Sequence, residues 1–199
     1  MESHKYIINV HICVVFINLS PSMSQMALLL CRQLRTIHPR MLEGGCETAW
    51  DAFLRSAFPF PSGFIVFPAR WASRGQQCFR FEVVYDWKHT VFVVHQKSVA
   101  EMDYTKECQI ADRLMRKRLS RPDCPLPTFR GVSTLGSTFA LYAKQHTTGI
   151  TPPSIPNWSH SLLDLGGVGR ILEIVKAVKK DCREFKRPRK LTAKVTSNF

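Results

Sequence analysis

Apolar and polar residues alternate along the chain with two distinct periods. Where apolar residues recur every three or four positions, one face of a helix is apolar, so this spacing predicts a helix. Four segments have the helical period: 23–37, 47–57, 104–119 and 168–185. Short runs of alternating or continuous apolar residues predict strands instead. Five segments are of this kind: 63–68, 79–85, 90–96, 128–133 and 137–144.

The order of these elements predicts the fold class. Three consecutive strands, a helix, two more strands and a last helix are typical of a single α/β domain, with a mixed central sheet flanked by helices. The apolar residues of 79–85 alternate and so share one face, whereas 90–96 is apolar on both faces and is expected in the centre of the sheet. Gly44 and Gly45 predict a break before the helix at 47–57.

The first 40 residues differ from the rest of the chain. Segment 6–19 holds no charged residue, but it is shorter than the roughly 20 residues that a helix needs to span a bilayer. It fits the apolar part of a signal peptide, a buried strand or a loosely attached extension. We therefore expect an N-terminal extension over 1–40, an α/β domain over 41–185 and a basic tail over 186–199, without a transmembrane anchor.

Basic residues outnumber acidic ones, with 28 Lys and Arg against 15 Asp and Glu and a formal net charge of +13. Such a charge favours nucleic acid, acidic membranes or acidic proteins as partners. From Arg170 onward the chain has ten Lys or Arg and three acidic residues, and the predicted helix 104–119 has a basic outer face. The expected nucleic-acid-binding residues are Arg113, Arg116, Lys117, Arg118, Lys186, Arg187, Arg189 and Lys190.

Two features bear on where the protein resides. The seven cysteines include no C-x-x-C pair and are odd in number, which argues against a zinc ribbon or a closed set of disulfides and favours reduced thiols in an intracellular protein. The basic run 186–190, with Lys179 and Lys180 upstream, fits a nuclear-import signal, a phosphate-binding patch or a solvated tail.

Four stretches carry a resemblance to a known family: FPSGFIVFPAR (60–70), VFVVHQKS (91–98), CPLPTFRGVSTLGSTFALY (124–142) and ITPPSIP (150–156). Over about residues 47–182 the chain resembles the PD-(D/E)XK nuclease-like superfamily, and more narrowly a group of uncharacterised fungal proteins of that type. The resemblance implies a restriction-endonuclease-like core. In that core a helix with an acidic residue precedes a strand hairpin, which bears an Asp, then a Glu or Gln, any residue and a Lys at a strand end.

The resemblance also implies a candidate catalytic set. Lys97 takes the place of the family's lysine, His95 stands where a Glu or Gln is implied, and Glu47 fits the acid on the first helix. In the family, carboxylates hold Mg²⁺, which polarises the phosphate and activates water, while the lysine stabilises the developing charge. His95 and Lys97 are two residues apart on a strand and are expected on one face.

The implied Asp has no counterpart at the start of the hairpin, where residues 77–79 read QCF. Glu82 and Asp86 are the remaining candidate metal ligands, with Mg²⁺ the expected ion if the domain cleaves; no small-molecule cofactor is expected. The structural interpretations stay open: Asp86 fits a turn, Glu47 a helix start and Lys97 a solvated strand end.

The sequence therefore favours a nuclease-like domain that binds DNA or RNA and has lost, or nearly lost, Mg²⁺-dependent cleavage, because a basic surface accompanies an incomplete acidic site. The alternative is a non-enzymatic interaction module whose basic tail serves as a nuclear address or binds acidic partners. A third interpretation is an active nuclease with a displaced acid, such as Glu82 or Asp86. The glycine-rich run 166–169 fits a flexible helix entry or a phosphate cradle at a helix N-terminus.

Overall fold

The computed structural model describes residues 42–73, 76–97 and 104–186, together with the isolated helical positions 25 and 32. The apolar segment 6–19, the rest of the predicted helix 23–37 and the tail beyond 186 lie outside the described residues. The helices are α1 (Leu42–Ala57), a short 3₁₀ helix (Phe60–Ser62), α2 (Tyr104–Leu119) and α3 (Leu165–Lys186). The strands are β1 (Phe64–Ser73), β2 (Gln76–Tyr85), β3 (His89–Lys97), β4 (Thr128–Leu135), β5 (Thr138–Gln145), β6 (Gly149–Thr151) and β7 (His160–Ser161).

The described strands form one mixed sheet in the order β1-β2-β3-β4-β5-β6, with β7 paired to β5. Strands β1 to β3 are antiparallel neighbours, β3 and β4 are parallel, and β5 returns antiparallel to β4. A parallel pair needs a crossover connection, which α2 supplies between β3 and β4. The predicted α/β class, with a mixed central sheet flanked by helices, is confirmed.

Helices cover both faces of the sheet. Arg118 of α2 reaches Glu82 on one face, whereas Phe58, just after α1, packs on Phe64 and Phe92 on the other face, which α3 also covers. Because successive residues of a strand point to opposite faces, β2 presents its charged residues to α2 and its apolar residues to α1 and α3. The apolar residues on that shared face, as predicted, are Phe79, Phe81, Val83 and Tyr85.

Helix α1 begins at Leu42 and runs through Gly44 and Gly45, so the predicted break at these glycines is wrong. Each glycine costs a helix roughly 1 kcal/mol relative to Ala. Trp50 and Leu54 are fully buried farther along the helix, and burying a side chain of that size contributes about 1.5–3 kcal/mol. Packing of the apolar face therefore outweighs the local preference of the two glycines.

Strand β3 is buried at every position except its first, which confirms the predicted central strand. Its last three residues, His95, Gln96 and Lys97, are polar or charged and are buried all the same. Buried polar groups need hydrogen-bonded or ionic partners, so the end of β3 is where the chain has had to arrange specific electrostatic contacts. The candidate site lies there.

The described cysteines are buried free thiols: Cys46, Cys78, Cys108, Cys124 and Cys182. Burial raises the pKa of Cys46 and Cys124 to about 11 and that of Cys182 to about 12. Such thiols are protonated at neutral pH and are poor nucleophiles. Among the described helices, none combines the length and the apolar sequence that crossing a bilayer requires.

Candidate functional site

Lys97 ends β3, and its side chain lies between the sheet and α2. Its ammonium group donates to the carboxylate of Glu107, in the first turn of α2, and each of the two side chains is only 7% exposed. Removing a charge from water is costly unless an opposite charge compensates it, so each partner depends on the other. Lys97 is therefore committed to an ion pair inside the protein and is not a solvated strand end.

His95 lies two residues before Lys97 and on the same face of β3, as predicted. It sits beside Arg80 of β2 in the sheet. Burial, together with the positive charges of Arg80 and Arg118, lowers the pKa of His95 to about 3, although the carboxylate of Glu82 acts in the opposite direction. The imidazole is therefore neutral at physiological pH, and it does not supply the negative charge that a Glu would bring to this Glu-or-Gln position.

Glu82 faces α2, but cations enclose it. Its carboxylate pairs with Arg118 at 2.9 Å and with Arg80 at 3.0 Å, and it accepts a hydrogen bond from the hydroxyl of Thr90 at 3.3 Å. Burial alone would raise the pKa of Glu82, but the hydrogen bond and charge of Arg118, with the charge of Arg80, outweigh it and lower that pKa. A metal ion would have to displace both guanidinium groups from this carboxylate.

Asp86 lies at the far end of the β2–β3 hairpin from Lys97. Residues 86–88 connect the two strands. The amide of Lys88 donates to the carbonyl of Tyr85, and Asp86 and Trp87 have φ of 52° and 60°, a left-handed conformation that is common in hairpin turns. Because Lys97 pairs with residue 78 of β2, a rise of about 3.3 Å per residue places the turn roughly 25 Å away. Asp86 therefore cannot hold a metal ion beside Lys97.

Glu47 lies on the other face of the sheet. Its two carboxylate oxygens accept hydrogen bonds from the guanidinium of Arg70 on β1, at 3.0 and 2.8 Å. Arg70 pairs with Phe79 in the sheet and so belongs to the face that α1 covers. The sheet separates Glu47 from Lys97 and His95, and the predicted catalytic set is not brought together.

The residues present do not fit the Mg²⁺ site that the resemblance implies. Within the described ranges, no group of three or more His, Cys, Asp or Glu side chains is arranged to hold a metal ion. Mg²⁺ requires near-octahedral oxygen ligands from carboxylates that can face it. Glu47 and Glu82 instead face arginines on opposite sides of the sheet, and Asp86 lies in a distant turn.

Arg118, predicted on the basic outer face of α2, is instead buried, and that prediction is wrong. Its guanidinium pairs with Glu82 and Asp123 and lies over the ring of Phe129, 5.2 Å from its centre. The helical period explains the placement, because Arg118 is three residues after Met115, a fully buried residue of the inner face. Arg118 therefore ties α2 to the sheet, and its predicted role in nucleic-acid binding stays a prediction.

Arg116 is half-buried and also has partners within the protein. It pairs with Asp112 at 2.9 Å, and its Nη2 donates to the carbonyls of Pro152 and Ser154 at 2.7 and 2.6 Å. These contacts fasten the loop after β6 to α2. Arg116 therefore has a structural role, and its predicted role in nucleic-acid binding stays a prediction.

The other predicted binding residues are exposed or lie outside the described ranges. Arg113 and Lys117 project from the outer face of α2, and Lys186 is exposed at the last described position of α3. Arg113, Lys117 and the nearby Arg121 form no ion pair with any residue that the structure describes. The remaining predicted residues are not described: Arg187, Arg189 and Lys190.

Sequence reasoning overlooked Glu107, the partner of Lys97. A signal was present, because Glu107 precedes Ala111 and Met115 by four and eight residues and so belongs to the apolar stripe of α2. A charged residue inside an apolar stripe indicates a buried partner of opposite charge. Arg80 was also overlooked as a neighbour of His95. Because Arg80 alternates with the apolar residues of β2, it lies on the opposite face from them, which is the face that carries His95.

The glycine run at the start of α3 serves packing. A Cβ on Gly167 would lie 1.8 Å from the carbonyl oxygen of Ser161, so only glycine lets α3 approach β7 this closely. The amide of Gly167 donates to the carboxylate of Asp164, which caps the helix. A capping carboxylate repels phosphate, so the run is a close-packed helix entry and not a phosphate cradle.

Comparisons with known proteins return no relative. Neither protein-family models, nor curated proteins, nor solved structures match the chain. The family resemblance of the four stretches stays a prediction, and the chemistry of the site rests on its own contacts and charges.

Proposed function

We propose that this chain is a nuclease-like domain that binds DNA or RNA through its positively charged surface and does not cleave it by a metal-dependent reaction. The buried ion pair of Lys97 and Glu107 carries this proposal. The resemblance assigns to that lysine the stabilisation of negative charge on a phosphate. In this chain a carboxylate inside the protein compensates the ammonium group before any phosphate approaches.

The element order supports the nuclease-like part of the proposal. A helix precedes three consecutive strands, Lys97 closes the third strand, and α2 leads into the parallel strand β4. This is the order that the resemblance implies. The chain therefore combines this element order with candidate acidic residues that lie apart from one another or are already paired with cations.

The outer face of α2 and its exit supply the binding surface. Arg113, Lys117 and Arg121 are exposed and have no acidic partner among the described residues. Basic side chains of this kind bind the phosphate backbone by releasing its counterions, which makes the affinity independent of sequence and strongly dependent on salt.

Fluorescence anisotropy with labelled duplex and single-stranded oligonucleotides tests binding. We expect the affinity to fall as salt rises, and Arg113→Ala or Lys117→Ala to reduce the slope of log K against log salt by about 0.9 for each duplex phosphate that the variant no longer neutralises. Arg55→Ala is the matched control, because it removes one exposed positive charge from α1, on the other face of the sheet, and should leave the slope unchanged. Absence of binding at low salt would refute the proposal.

A variant of the full chain distinguishes binding by the domain from binding by its basic tail. In the triple variant Arg187→Gln, Arg189→Gln and Lys190→Gln, we expect binding to weaken but to remain sensitive to Arg113→Ala. Complete loss of binding in the triple variant, with no effect of Arg113→Ala, would favour the interaction module with a basic tail over the proposed function.

Incubation of DNA and RNA with Mg²⁺ or Mn²⁺ tests the absence of cleavage. We expect no cleavage that depends on Lys97. The informative variant is Lys97→Met combined with Glu107→Leu, because it removes both buried charges together and so preserves the fold better than either change alone. Cleavage by the natural chain that this folded variant lacks would establish an active nuclease.

A further inference from the structure

A pocket with a volume of about 180 Å³ lies between α2 and the strands β2 and β3. His95 is buried in its wall on the β3 side, and the exposed Lys117 and Arg121 stand at its outer side. Its lining residues are Arg80, His95, Leu114, Lys117, Arg118 and Arg121. No acidic residue belongs to this lining.

The pocket carries an excess of positive charge. Four of the lining side chains are cationic, and the carboxylates that contact them are those of Glu82 and Asp123. Glu82 lies between Arg80 and Arg118, and Asp123 lies against Arg118, so both acids are bound to the inner arginines. Lys117 and Arg121 have no acidic partner among the described residues, and their charges remain available to an anion.

His95 adds a polar group that carries no charge. Burial and the nearby arginines keep its imidazole neutral, so it presents one N–H donor and one acceptor nitrogen. Burial is the larger cause of the lowered pKa of His95, and the charges of Arg80 and Arg118 add to it. A neutral imidazole adds no charge to the lining, so the attraction of an anion comes from the cations around it.

The volume restricts what can enter. Pockets for whole small molecules are typically about 300–1,000 Å³, so this pocket is smaller than those, and a single phosphate group fits its volume of about 180 Å³. A phosphate within a chain continues as a covalent link on two sides, whereas a terminal phosphate has one link and about two negative charges. The excess of positive charge in the pocket favours the terminal group, because that group carries the larger negative charge.

The position of the pocket relates it to the expected metal site. His95 stands where the resemblance implies a Glu or Gln, and it pairs with Arg80 across β2 and β3. A metal ion and a set of basic side chains meet the same need, which is positive charge facing a phosphate. In this chain the side chains supply that charge directly.

We propose that this pocket binds a phosphate monoester at the end of a nucleic-acid strand held on the α2 surface. The assignment of the strand end rests on the proposed function. Binding of the phosphate group itself depends only on the pocket.

Two measurements on the full chain test this. In the first, inorganic phosphate is added at constant ionic strength, with chloride as the reference, and the ring signals of His95 are followed by NMR, assigned with the help of His95→Gln. We expect a saturable shift of these signals, which is lost when Lys117→Gln is combined with Arg121→Gln.

In the second measurement, the affinities of the protein for oligonucleotides of one sequence with 5′-phosphate, 3′-phosphate or only hydroxyl ends are compared. We expect a preference of about tenfold for one phosphorylated end, the effect of about 1.4 kcal/mol.

Arg113→Gln is the matched control, because Arg113 is an exposed cation of the same helix but does not line the pocket. It should weaken the binding of all three oligonucleotides equally, whereas the changes at Lys117 and Arg121 should remove the preference for a phosphorylated end. Equal affinity for the three ends, or a preference that the pocket variants leave intact, would overturn the assignment to a strand end. Absence of a saturable His95 shift would overturn the pocket. A shift in a protein that binds no oligonucleotide would support the pocket and overturn the proposed function.

Discussion

Removal of one partner from the Lys97–Glu107 pair should destabilise the domain strongly. Glu107→Gln leaves the ammonium group of Lys97 beside a neutral amide, in a site where both natural side chains are only 7% exposed. Two unit charges about 4 Å apart attract by roughly 4 kcal/mol at an effective dielectric constant of about 20. Mutational breakage of buried pairs costs about 3–5 kcal/mol, a large share of the roughly 5–15 kcal/mol that stabilises a typical domain.

The double variant decides whether this cost reflects coupling. Lys97→Met combined with Glu107→Leu replaces both charges by apolar groups of similar volume. Such replacements are often neutral or stabilising by about 1–4 kcal/mol, so the double variant should be more stable than either single variant. If the two destabilisations simply add, the residues do not interact energetically and the reasoning fails.

Urea unfolding at pH 7 provides the assay, with the midpoint and the slope of each transition compared between variants. Arg55→Ala is the control, because Arg55 and Asp51 form an ion pair on α1 with side chains 55% and 33% exposed. A surface pair of this spacing contributes about 0.3–0.5 kcal/mol. A destabilisation below about 1 kcal/mol in Glu107→Gln, comparable with that exposed pair, would refute the buried-pair interpretation.

Three further predictions concern other parts of the domain. The pKa of His95 is about 3 in the folded protein and about 6.5 in the unfolded chain. Because the unfolded chain binds more protons below about pH 6.5, the free energy of unfolding should fall as the pH drops below that value, by up to about 1.4 kcal/mol per pH unit. The variant His95→Gln should lose less stability than the natural chain between pH 6.5 and 5. Identical profiles of stability against pH for the two proteins would contradict this prediction. Gly167→Ala should lower the melting temperature sharply because its Cβ would meet the Ser161 carbonyl, whereas Gly169→Ala, with open space around it, should be neutral or gain up to about 1 kcal/mol. In a thiol-titration assay the five described cysteines should react slowly in the folded protein and fast in urea, and fast reaction in both would contradict their burial.

The parts of the fold that the sequence predicted well are those whose pattern is local. Helix α2 occupies 104–119 as expected because its apolar residues recur without a competing signal, and β3 is central because its apolar run leaves no polar face. The start of α1 was missed since two glycines argue locally against a helix, while the burial of Trp50 that outweighs them is a tertiary effect. The sequence pattern reflects local preferences, whereas the stabilisation from packing a side chain such as Trp50 depends on the assembled sheet.

The candidate site was predictable in part for the same reason. The period of a strand places His95 and Lys97 on one face, and the structure agrees. The partner of Lys97 lies on another element, so no spacing within β3 could identify it. Glu107 and Arg118 were nevertheless marked by their positions in the apolar stripe of α2, and a charged residue in such a stripe is the signal to follow in sequences of this kind.

The excess of basic residues accounts for both the missing metal site and the candidate phosphate pocket. A metal site needs carboxylates without cationic partners, yet within the described ranges many acids pair with an arginine. Members of this group are Glu47, Asp51, Glu82, Asp112, Asp123 and Asp181. Three of these pairs, Arg70–Glu47, Arg118–Glu82 and Arg130–Asp181, join a helix to a strand, and in all of them the carboxylate is already neutralised by an arginine. Among the described cations that have no acidic partner, Lys117 and Arg121 line the pocket beside the neutral His95, and this excess of positive charge is the reason for proposing a phosphate there.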